Sequence, residues 1–164
     1  MQAIDINIDK IDLQILDRLQ HDASLSNQDL ALRVHVSPPT CLRRVRRLHE
    51  AGLIERQIAV LDSNRLAPLL GFGLTALVEI TLDRQDSAAL DAFEARIAAE
   101  AAVQQCYRVS PGPDFVCVTY ARDMPAFLAL TQRLFTSDAN VRNVKTFFSV
   151  KRVKFAPLLP LGLS

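Results

Sequence analysis

The segment S-P-P-T-C-L-R-R-V-R-R-L-H-E-A-G, residues 37–52, decides how this chain is interpreted. Ser37 is a favourable helix N-cap, and Pro38 suits the first helical position because the N–H that proline lacks would be unpaired there. Gly52 is the usual residue just after a helix C-terminus. The segment therefore predicts a helix that begins after Ser37 and ends before Gly52.

The two faces of this predicted helix differ in chemistry. On a helical wheel, one face is apolar and carries Cys41, Val45 and Leu48. The opposite arc is predicted to carry Thr40 and four arginines: Arg43, Arg44, Arg46 and Arg47. Solvated faces usually mix both signs of charge, because like charges at this spacing repel each other. The pattern favours a helix that presents arginines to guanine edges and phosphates in a DNA major groove, with an ordinary solvated face as the alternative.

Two shorter helices are predicted before it. Asp9 caps the first, which runs to about Gln20 with a buried stripe made of Ile11, Ile15, Leu16 and Leu19. S-N-Q-D at residues 26–29 reads as a capping box that starts the second helix. A very short turn then leads into the arginine helix. This is the helix-turn-helix pattern, with a three-helix bundle that binds nothing as the alternative.

Asn27 and Gln28 open the second of these helices. They are predicted to donate hydrogen bonds to the DNA backbone, or else simply to face solvent. Ser37 is predicted to cap the reading helix and to touch a phosphate. Contacts to bases and phosphates are expected from Thr40, Arg43, Arg44 and Arg47, and a phosphate contact from Arg46 nearer the rim.

The rest of the chain predicts a second domain. Residues 53–62 read as a hinge strand or an extended linker, so we divide the chain into residues 1–62 and residues 63–164. The second domain is predicted to have strands at 74–82, 103–110, 114–121 and 141–155 and helices at 86–99 and 123–135. This βαββαβ order predicts an α+β ferredoxin-like sandwich, beside an N-terminal winged-type helix-turn-helix domain.

One face of the predicted sheet is left without a helix. We expect it to carry apolar residues such as Val78, Val116 and Val118. An apolar face of this kind is usually buried, most simply against another subunit.

Composition excludes several classes of protein. The net charge is +1, so the composition as a whole does not indicate nucleic-acid binding. The basic charge is instead concentrated in the predicted arginine helix, which holds four of the eight Lys and Arg residues in residues 1–62. The three cysteines, Cys41, Cys106 and Cys117, are predicted to be core or sheet residues; their odd number argues against a disulfide framework. No Cys/His spacing suggests zinc, and no apolar run is long enough to span a bilayer. We expect a cytoplasmic, nucleoid-associated protein without metal or cofactor.

Several stretches together resemble the Lrp/AsnC (leucine-responsive regulator/asparagine regulator) family of bacterial transcription regulators. V-S-P-P-T-C-L-R-R-V-R-R-L-H-E-A-G-L-I, residues 36–54, is similar to the recognition helix of that family. Residues 8–20 and 26–31 resemble its first two helices, A-V-L-D at 59–62 its hinge strand, and residues 150–161 its last strand and tail. The similarity covers nearly the whole chain.

The resemblance implies a regulator that binds double-stranded DNA as a homodimer, with dimers assembling into tetramers or octamers. It also implies that the C-terminal domain binds a small effector, usually an amino acid, in a cleft between dimers. Many members regulate amino-acid metabolism or transport. By the same resemblance, Ser110, Gly112, Asp114, Phe115 and Thr146 are expected near the effector.

The effector region departs from the family pattern, which usually reads G-D-x-D-Y. Here the chain reads P-G-P-D-F at residues 111–115, so only Asp114 matches outright and Phe115 replaces the tyrosine. Proline has no N–H to offer an effector carboxylate. The identity of an effector, or its existence, stays open, and Asp114 is either an effector contact or a turn residue that caps its own backbone.

An enzyme is the competing hypothesis from another class. Some sirohaem decarboxylases resemble this family and use histidine, whereas no histidine follows His49 here. A DNA-independent small-molecule-binding assembly is the third hypothesis. The intact arginine helix favours a regulator over both, and we predict that the protein is not an enzyme.

Overall fold

The computed structural model describes residues 6–71 and 73–162. The chain divides into two compact units. The helical unit comprises Met1–Val60 together with Lys154–Ser164, and the sheet unit comprises Leu61–Val153. The division lies close to the predicted boundary, but the C-terminal tail is grouped with the helical unit and not with the second domain.

Three helices form the described core of the helical unit. They are α1 (Lys10–His21), α2 (Asn27–Arg33) and α3 (Pro38–Glu50). Their inward faces enclose a small core of six buried side chains: Ile15, Leu30, Ala31, Val34, Cys41 and Leu48. The stripes predicted from helical spacing supply this core, since burying an apolar face is what stabilises short helices.

Each helix begins at a residue suited to that position. Asp9 and Asp12 form a reciprocal capping box at the start of α1, in which each carboxylate accepts the backbone N–H of the other residue. Ser26 caps α2 by accepting the N–H of Asp29 at 3.1 Å. Ser37 stands at the N-cap position of α3 as predicted, but its side chain makes no capping hydrogen bond there.

The segment after α3 has no regular secondary structure. Residues 55–62 belong to no strand, so the prediction of a hinge strand is wrong for the single chain and the segment is a linker. Without a neighbouring strand, this segment has no ladder partner.

In the C-terminal tail, Leu159 exchanges two hydrogen bonds with the side chain of Gln20, at 2.9 and 3.0 Å.

The sheet unit has the predicted βαββαβ order. After the short helix α4 (Ser63–Leu70) come β1 (Leu74–Leu82), α5 (Ser87–Ala98), β2 (Val103–Arg108), β3 (Phe115–Ala121), α6 (Met124–Thr131), a π-helical turn (Gln132–Thr136) and β4 (Val141–Phe148). The sheet is antiparallel with the order β2-β3-β1-β4. The predicted fold class is confirmed.

One face of the sheet packs against α5 and α6. Phe93 and Ile97 of α5 and Phe127 and Leu130 of α6 lie in one buried cluster with alternate residues of the strands. Phe93 stacks on Phe115 of β3, with ring centroids 4.6 Å apart. The aromatic and aliphatic burial in this layer stabilises the unit.

The opposite face of the sheet carries partly exposed apolar side chains. Val116 and Val118 lie on it as predicted, together with Leu77 and Phe147, which are 41% and 44% exposed. Val78 does not lie there, because alternation along β1 places it on the helix-covered face, where it is fully buried.

The last strand is shorter than predicted. β4 ends at Phe148, whereas the sequence predicted a strand from 141 to 155. In the described sheet β4 is an edge strand that pairs with β1, and its last residue, Phe148, pairs with Ala76. β2 likewise ends at Arg108 rather than at Ser110. Among the described residues, no helix is long and apolar enough to cross a membrane.

Candidate nucleic-acid interface

The turn between α2 and α3 is tightly specified. His35 adopts a left-handed conformation with φ of 56°, and the backbone N–H of Val36 donates to the carbonyl of Ala31 at 3.0 Å. The side chain of Asn27 donates to the carbonyl of Pro38 at 2.9 Å. Asn27 therefore ties the start of α2 to the start of α3. A side-chain amide has two N–H groups, so this bond does not exclude the predicted contact with the DNA backbone.

A buried carboxylate lies between α1 and α3. Asp12 has no exposed surface, and it falls on the same side of α1 as the buried Ile15. Its carboxylate accepts a hydrogen bond from Arg44 Nη1 at 2.8 Å and a second one from Arg47. Asp9 also accepts from Arg44 Nη1, at 2.8 Å. Two of the four α3 arginines are thus paired with acids of α1.

The prediction that all four arginines face outward is wrong for Arg44. Its side chain is only 18% exposed, compared with 41% for Arg47. Charge in a small core requires a partner, and Asp12 supplies one from 32 residues away in the sequence. We call Arg44 and Arg47 the inner arginines.

The paired groups shift one another's ionisation. The pKa of Asp9 lies below its usual value, chiefly because its carboxylate accepts the backbone N–H of Asp12 and additionally because Arg44 lies beside it. The pKa of Arg44 is raised, chiefly by its hydrogen bond to Asp12. Both effects favour the charged forms, so the contact between α1 and α3 is ionic at neutral pH.

Arg43 and Arg46 lie on the exposed side of α3. Within the described part of the chain, neither makes an ion pair or a hydrogen bond. We call them the outer arginines. Gln28 at the start of α2 is exposed as well. Ser37 and Thr40 face each other through their hydroxyls at 2.8 Å, at the N-terminus of α3.

The structure thus sorts the eight residues predicted to contact DNA. Arg43, Arg46 and Gln28 are exposed and have no partner among the described residues, and Ser37 and Thr40 are paired with each other. The remaining three bond to other parts of the helical unit: Asn27, Arg44 and Arg47, of which Arg47 is still 41% exposed. Sequence reasoning missed Asp12. Its signal was an acid at a position that helical spacing assigns to the apolar stripe of α1.

The residues predicted to contact an effector differ in exposure and in their contacts. The carboxylate of Asp114 accepts the backbone N–H of Leu82 at 2.7 Å, so it bonds to a neighbouring strand and does not cap its own turn. Phe115 is fully buried under Phe93. Thr146 is half-buried opposite Val78 on the helix-covered face, and Ser110 and Gly112 are exposed in the turn between β2 and β3.

A cavity of about 320 Å³ opens between α5 and β2. Its lining includes Glu94 and Ile97 of α5, Cys106 and Arg108 of β2, and Phe115. None of the described residues form a group of three His, Cys, Asp or Glu side chains that could hold a metal ion.

Two family models match the chain over its two units. The family described as winged helix-turn-helix DNA-binding matches residues 8–55, and the Lrp/AsnC ligand binding domain matches residues 75–159. The chain belongs to the Lrp/AsnC family.

Relatives of this Lrp/AsnC protein match it over nearly their whole length. The leucine-responsive regulatory protein of Rhizobium meliloti (strain 1021) is 37% identical, with 94% of this chain and 96% of the relative covered. The Bkd operon transcriptional regulator of Pseudomonas aeruginosa is 33% identical, with 94% and 98% covered.

Solved structures agree with this assignment. A transcriptional regulator from Neisseria meningitidis, crystallised as a complex with L-Met, has a TM-score of 0.79 and 30% identity, covering 94% of this chain and 97% of its own. An AsnC family transcriptional regulator from Agrobacterium tumefaciens has a TM-score of 0.80 and 28% identity, covering 94% and 98%.

The protein is therefore an Lrp/AsnC-family DNA-binding transcriptional regulator with a ligand-binding domain. The family consists of regulators and not of enzymes, which sets aside the decarboxylase hypothesis.

Proposed function

We propose that the protein binds DNA sequence-specifically by laying the exposed side of α3 in the major groove. The observation that carries the proposal is the pair of outer arginines, which are exposed and unpaired among the described residues. Unpaired arginines can bond guanine O6 and N7 or a phosphate without first breaking an ion pair. Gln28 lies exposed at the start of α2 and is assigned to a backbone phosphate.

The inner arginines receive a different role. Arg44 holds α3 against α1 through Asp9 and Asp12, so it orients the reading helix rather than reading bases. Arg47 is more exposed and is assigned a phosphate contact at the edge of the interface. Ser37 and Thr40 lie at the helix N-terminus, where hydroxyls and backbone N–H groups favour a phosphate.

The test is a fluorescence anisotropy titration of the full-length protein against DNA from upstream of its own gene, beside a scrambled duplex, at two salt concentrations. Arg43→Ala/Arg46→Ala is the variant, and Arg142→Ala in the sheet unit removes an exposed arginine elsewhere as the control. Two lost phosphate contacts should lower the salt slope by about two per chain. A variant that binds like the wild type would refute the proposed reading face.

We further propose that the sheet unit binds an amino-acid effector that modulates DNA binding or assembly. The support is the match to the Lrp/AsnC ligand binding domain and the L-Met complex of the Neisseria meningitidis regulator. In this chain the exposed turn with Ser110 and Gly112 remains available, whereas Asp114 bonds Leu82 and Phe115 is buried.

Isothermal titration calorimetry with each of the twenty amino acids tests this proposal. We expect heat from a small subset, loss of that heat in Ser110→Trp, and unchanged heat in Ser87→Trp at the exposed start of α5. The absence of binding by any amino acid, in a sample that binds DNA, would eliminate an amino-acid effector while leaving the DNA proposal intact.

We also propose that the open face of the sheet is the dimer interface, and that dimers assemble further into tetramers or octamers. The support is the partly exposed apolar set on that face, which includes Leu77 and Phe147. Leu77→Glu should lower the mass measured by light scattering after size exclusion, whereas Leu128→Glu, an exposed leucine of α6, should not. Equal masses for all three proteins would refute this face.

The regulated genes are proposed to serve amino-acid metabolism or transport, and the protein is proposed to act on the nucleoid in the cytoplasm. The relatives named leucine-responsive regulatory protein support this assignment. Mapping of bound chromosomal sites by immunoprecipitation would test it: sites confined to genes of unrelated function would overturn it.

A further inference from the structure

Two cysteines of the sheet unit face each other across neighbouring strands. Cys106 of β2 and Cys117 of β3 are direct partners in the register of the ladder. Their sulfur atoms are 3.3 Å apart, and both thiols are free. They lie symmetrically about the turn at Pro111 and Gly112, a relation visible in the sequence once the hairpin register is known.

The ladder places this pair at a position suited to a disulfide. The N–H of Val109 donates to the carbonyl of Asp114, which sets the alternation of the hairpin. Counting from that bond, Cys106 and Cys117 form a pair without ladder hydrogen bonds, where opposite Cα atoms are closest, about 4.5 Å apart. This separation lies within the range of disulfides, about 4.4 to 6.8 Å.

The two thiols differ in access. Cys106 is half-buried and lines the cavity between α5 and β2, whereas Cys117 has no exposed surface. The thiol of Cys117 donates a hydrogen bond to the sulfur of Cys106, which lowers the pKa of Cys106, and the same contact raises the pKa of Cys117. One sulfur is thus reachable and more easily ionised, and the second is directly behind it.

We propose that Cys106 and Cys117 are a redox-active pair that a hydroperoxide oxidises to an intrachain cross-strand disulfide. The Cys106 thiolate attacks the peroxide, the O–O bond breaks, and the products are Cys106 sulfenic acid and an alcohol, or water when the oxidant is hydrogen peroxide. The Cys117 sulfur then attacks the Cys106 sulfur and loses its proton, and the sulfenic hydroxyl leaves as water. The two thiols are oxidised by two electrons, and one peroxide is reduced.

The disulfide would act on the edge of the sheet. In the sheet formed by the described residues, β2 is an edge strand that pairs with β3. A covalent bond between them fixes the register of β2 and closes the cavity-side thiol to further chemistry. The modification is reversible by a small dithiol, because the pair is reachable through Cys106.

Cys41 supplies an internal control. It is buried in the helical unit, and burial raises its pKa, so it should react slowly. Of the three thiols in the chain, peroxide should therefore oxidise Cys106 and Cys117 and leave Cys41 as a thiol.

The experiment treats full-length protein with a small excess of hydrogen peroxide, quenches with catalase, and alkylates the denatured chain with N-ethylmaleimide. Intact mass should show one alkylated thiol instead of three, with loss of two hydrogens and full recovery after dithiothreitol. Peptide mapping should find Cys106 joined to Cys117 within one chain. The Cys41→Ser variant should form the same bond.

Two further variants separate the steps. In Cys117→Ser, dimedone should trap a sulfenic acid on Cys106, and no disulfide should form. In Cys106→Ser, neither product should form. Three alkylated thiols in the peroxide-treated wild type would overturn the proposal, as would a disulfide that persists in Cys106→Ser or that joins two chains. The wild-type mass measurement decides the question even if a variant fails to fold.

Discussion

The inner and outer arginines of α3 are the same residue type within five consecutive positions, yet they face opposite environments. Arg44 and Arg47 bond the buried carboxylate of Asp12, whereas Arg43 and Arg46 are exposed and unpaired among the described residues. The difference does not come from α3 itself. It comes from the acids of α1, which select the arginines that stabilise the unit and leave the other two for a ligand.

Replacing Asp12 by Ala should have the largest effect on this comparison. The substitution leaves two cations of α3 without a partner beside the core. We expect the free energy of unfolding to fall by about 3 kcal/mol, since removal of one member of a buried ionic group is costly. Urea denaturation followed by circular dichroism measures it.

Asp17→Ala on the same helix is the control for Asp12. Asp17 is half-buried and contacts Gln20 and His21 on its own helix. A change of about 0.5 kcal/mol or less is expected there. If both variants lost the same stability, Asp12 would have no special structural role.

Arg44→Ala should lose more stability than Arg43→Ala, because Arg44 is paired with acids and Arg43 is exposed. Arg44→Ala removes charge-assisted hydrogen bonds to Asp9 and Asp12 and should cost about 2 kcal/mol. Arg43→Ala should stay within about 0.5 kcal/mol. Urea denaturation compares the two variants. A larger loss of stability in Arg43→Ala than in Arg44→Ala would contradict the bonds of Arg44 to Asp9 and Asp12.

Asn27→Ala should separate an internal hydrogen bond from a DNA contact. Loss of the bond to the Pro38 carbonyl should cost about 1 kcal/mol, whereas Gln28→Ala, one residue along, should leave stability unchanged. In anisotropy titrations Gln28→Ala should weaken DNA binding. Unchanged stability in Asn27→Ala would show that the bond to Pro38 contributes nothing to the helical unit.

Acid should weaken the contact between Asp9 and Arg44, and this is the smallest of the four effects predicted here for the helical unit. The pKa of Asp9 lies below its usual value of 3.8, so its contribution to stability is complete above that value and is lost as the pH falls through the lowered one. In Asp9→Asn this group does not titrate. The difference in urea midpoint between wild type and Asp9→Asn should therefore shrink as the pH is lowered from 7 to 3; a constant difference would contradict an ionic role.

Much of the fold could be predicted because it depends on local periodicity. The helix predicted at 86–99 and the strand predicted at 74–82 follow from spacing alone, and both are confirmed by α5 and β1. Positions that depend on a distant partner could not be predicted in the same way. The last residue of β4 depends on how far its pairing with β1 extends, and the burial of Val78 depends on which face of the sheet the helices cover.

The candidate site shows the same limit. A helical wheel identifies the arginine-rich side of α3, but the direction of Arg44 depends on an acid 32 residues earlier. The pairing of Cys106 with Cys117 depends on the register of one hairpin. Asp12, by contrast, was visible as an acid in an apolar stripe, and an acid in that position should prompt a search for its cation.

The buried position of Asp12 also has a kinetic consequence for a protein that must find its operator. If Arg44 met a phosphate as well, each chain would release about one more counterion on any DNA, whatever its sequence. Such binding lengthens the stay on every incorrect site. By holding Arg44 back, Asp12 should shorten the dwell time on random DNA, which single-molecule tracking of Asp12→Asn would show as longer pauses. A side chain with no exposed surface would thereby influence the speed of the search.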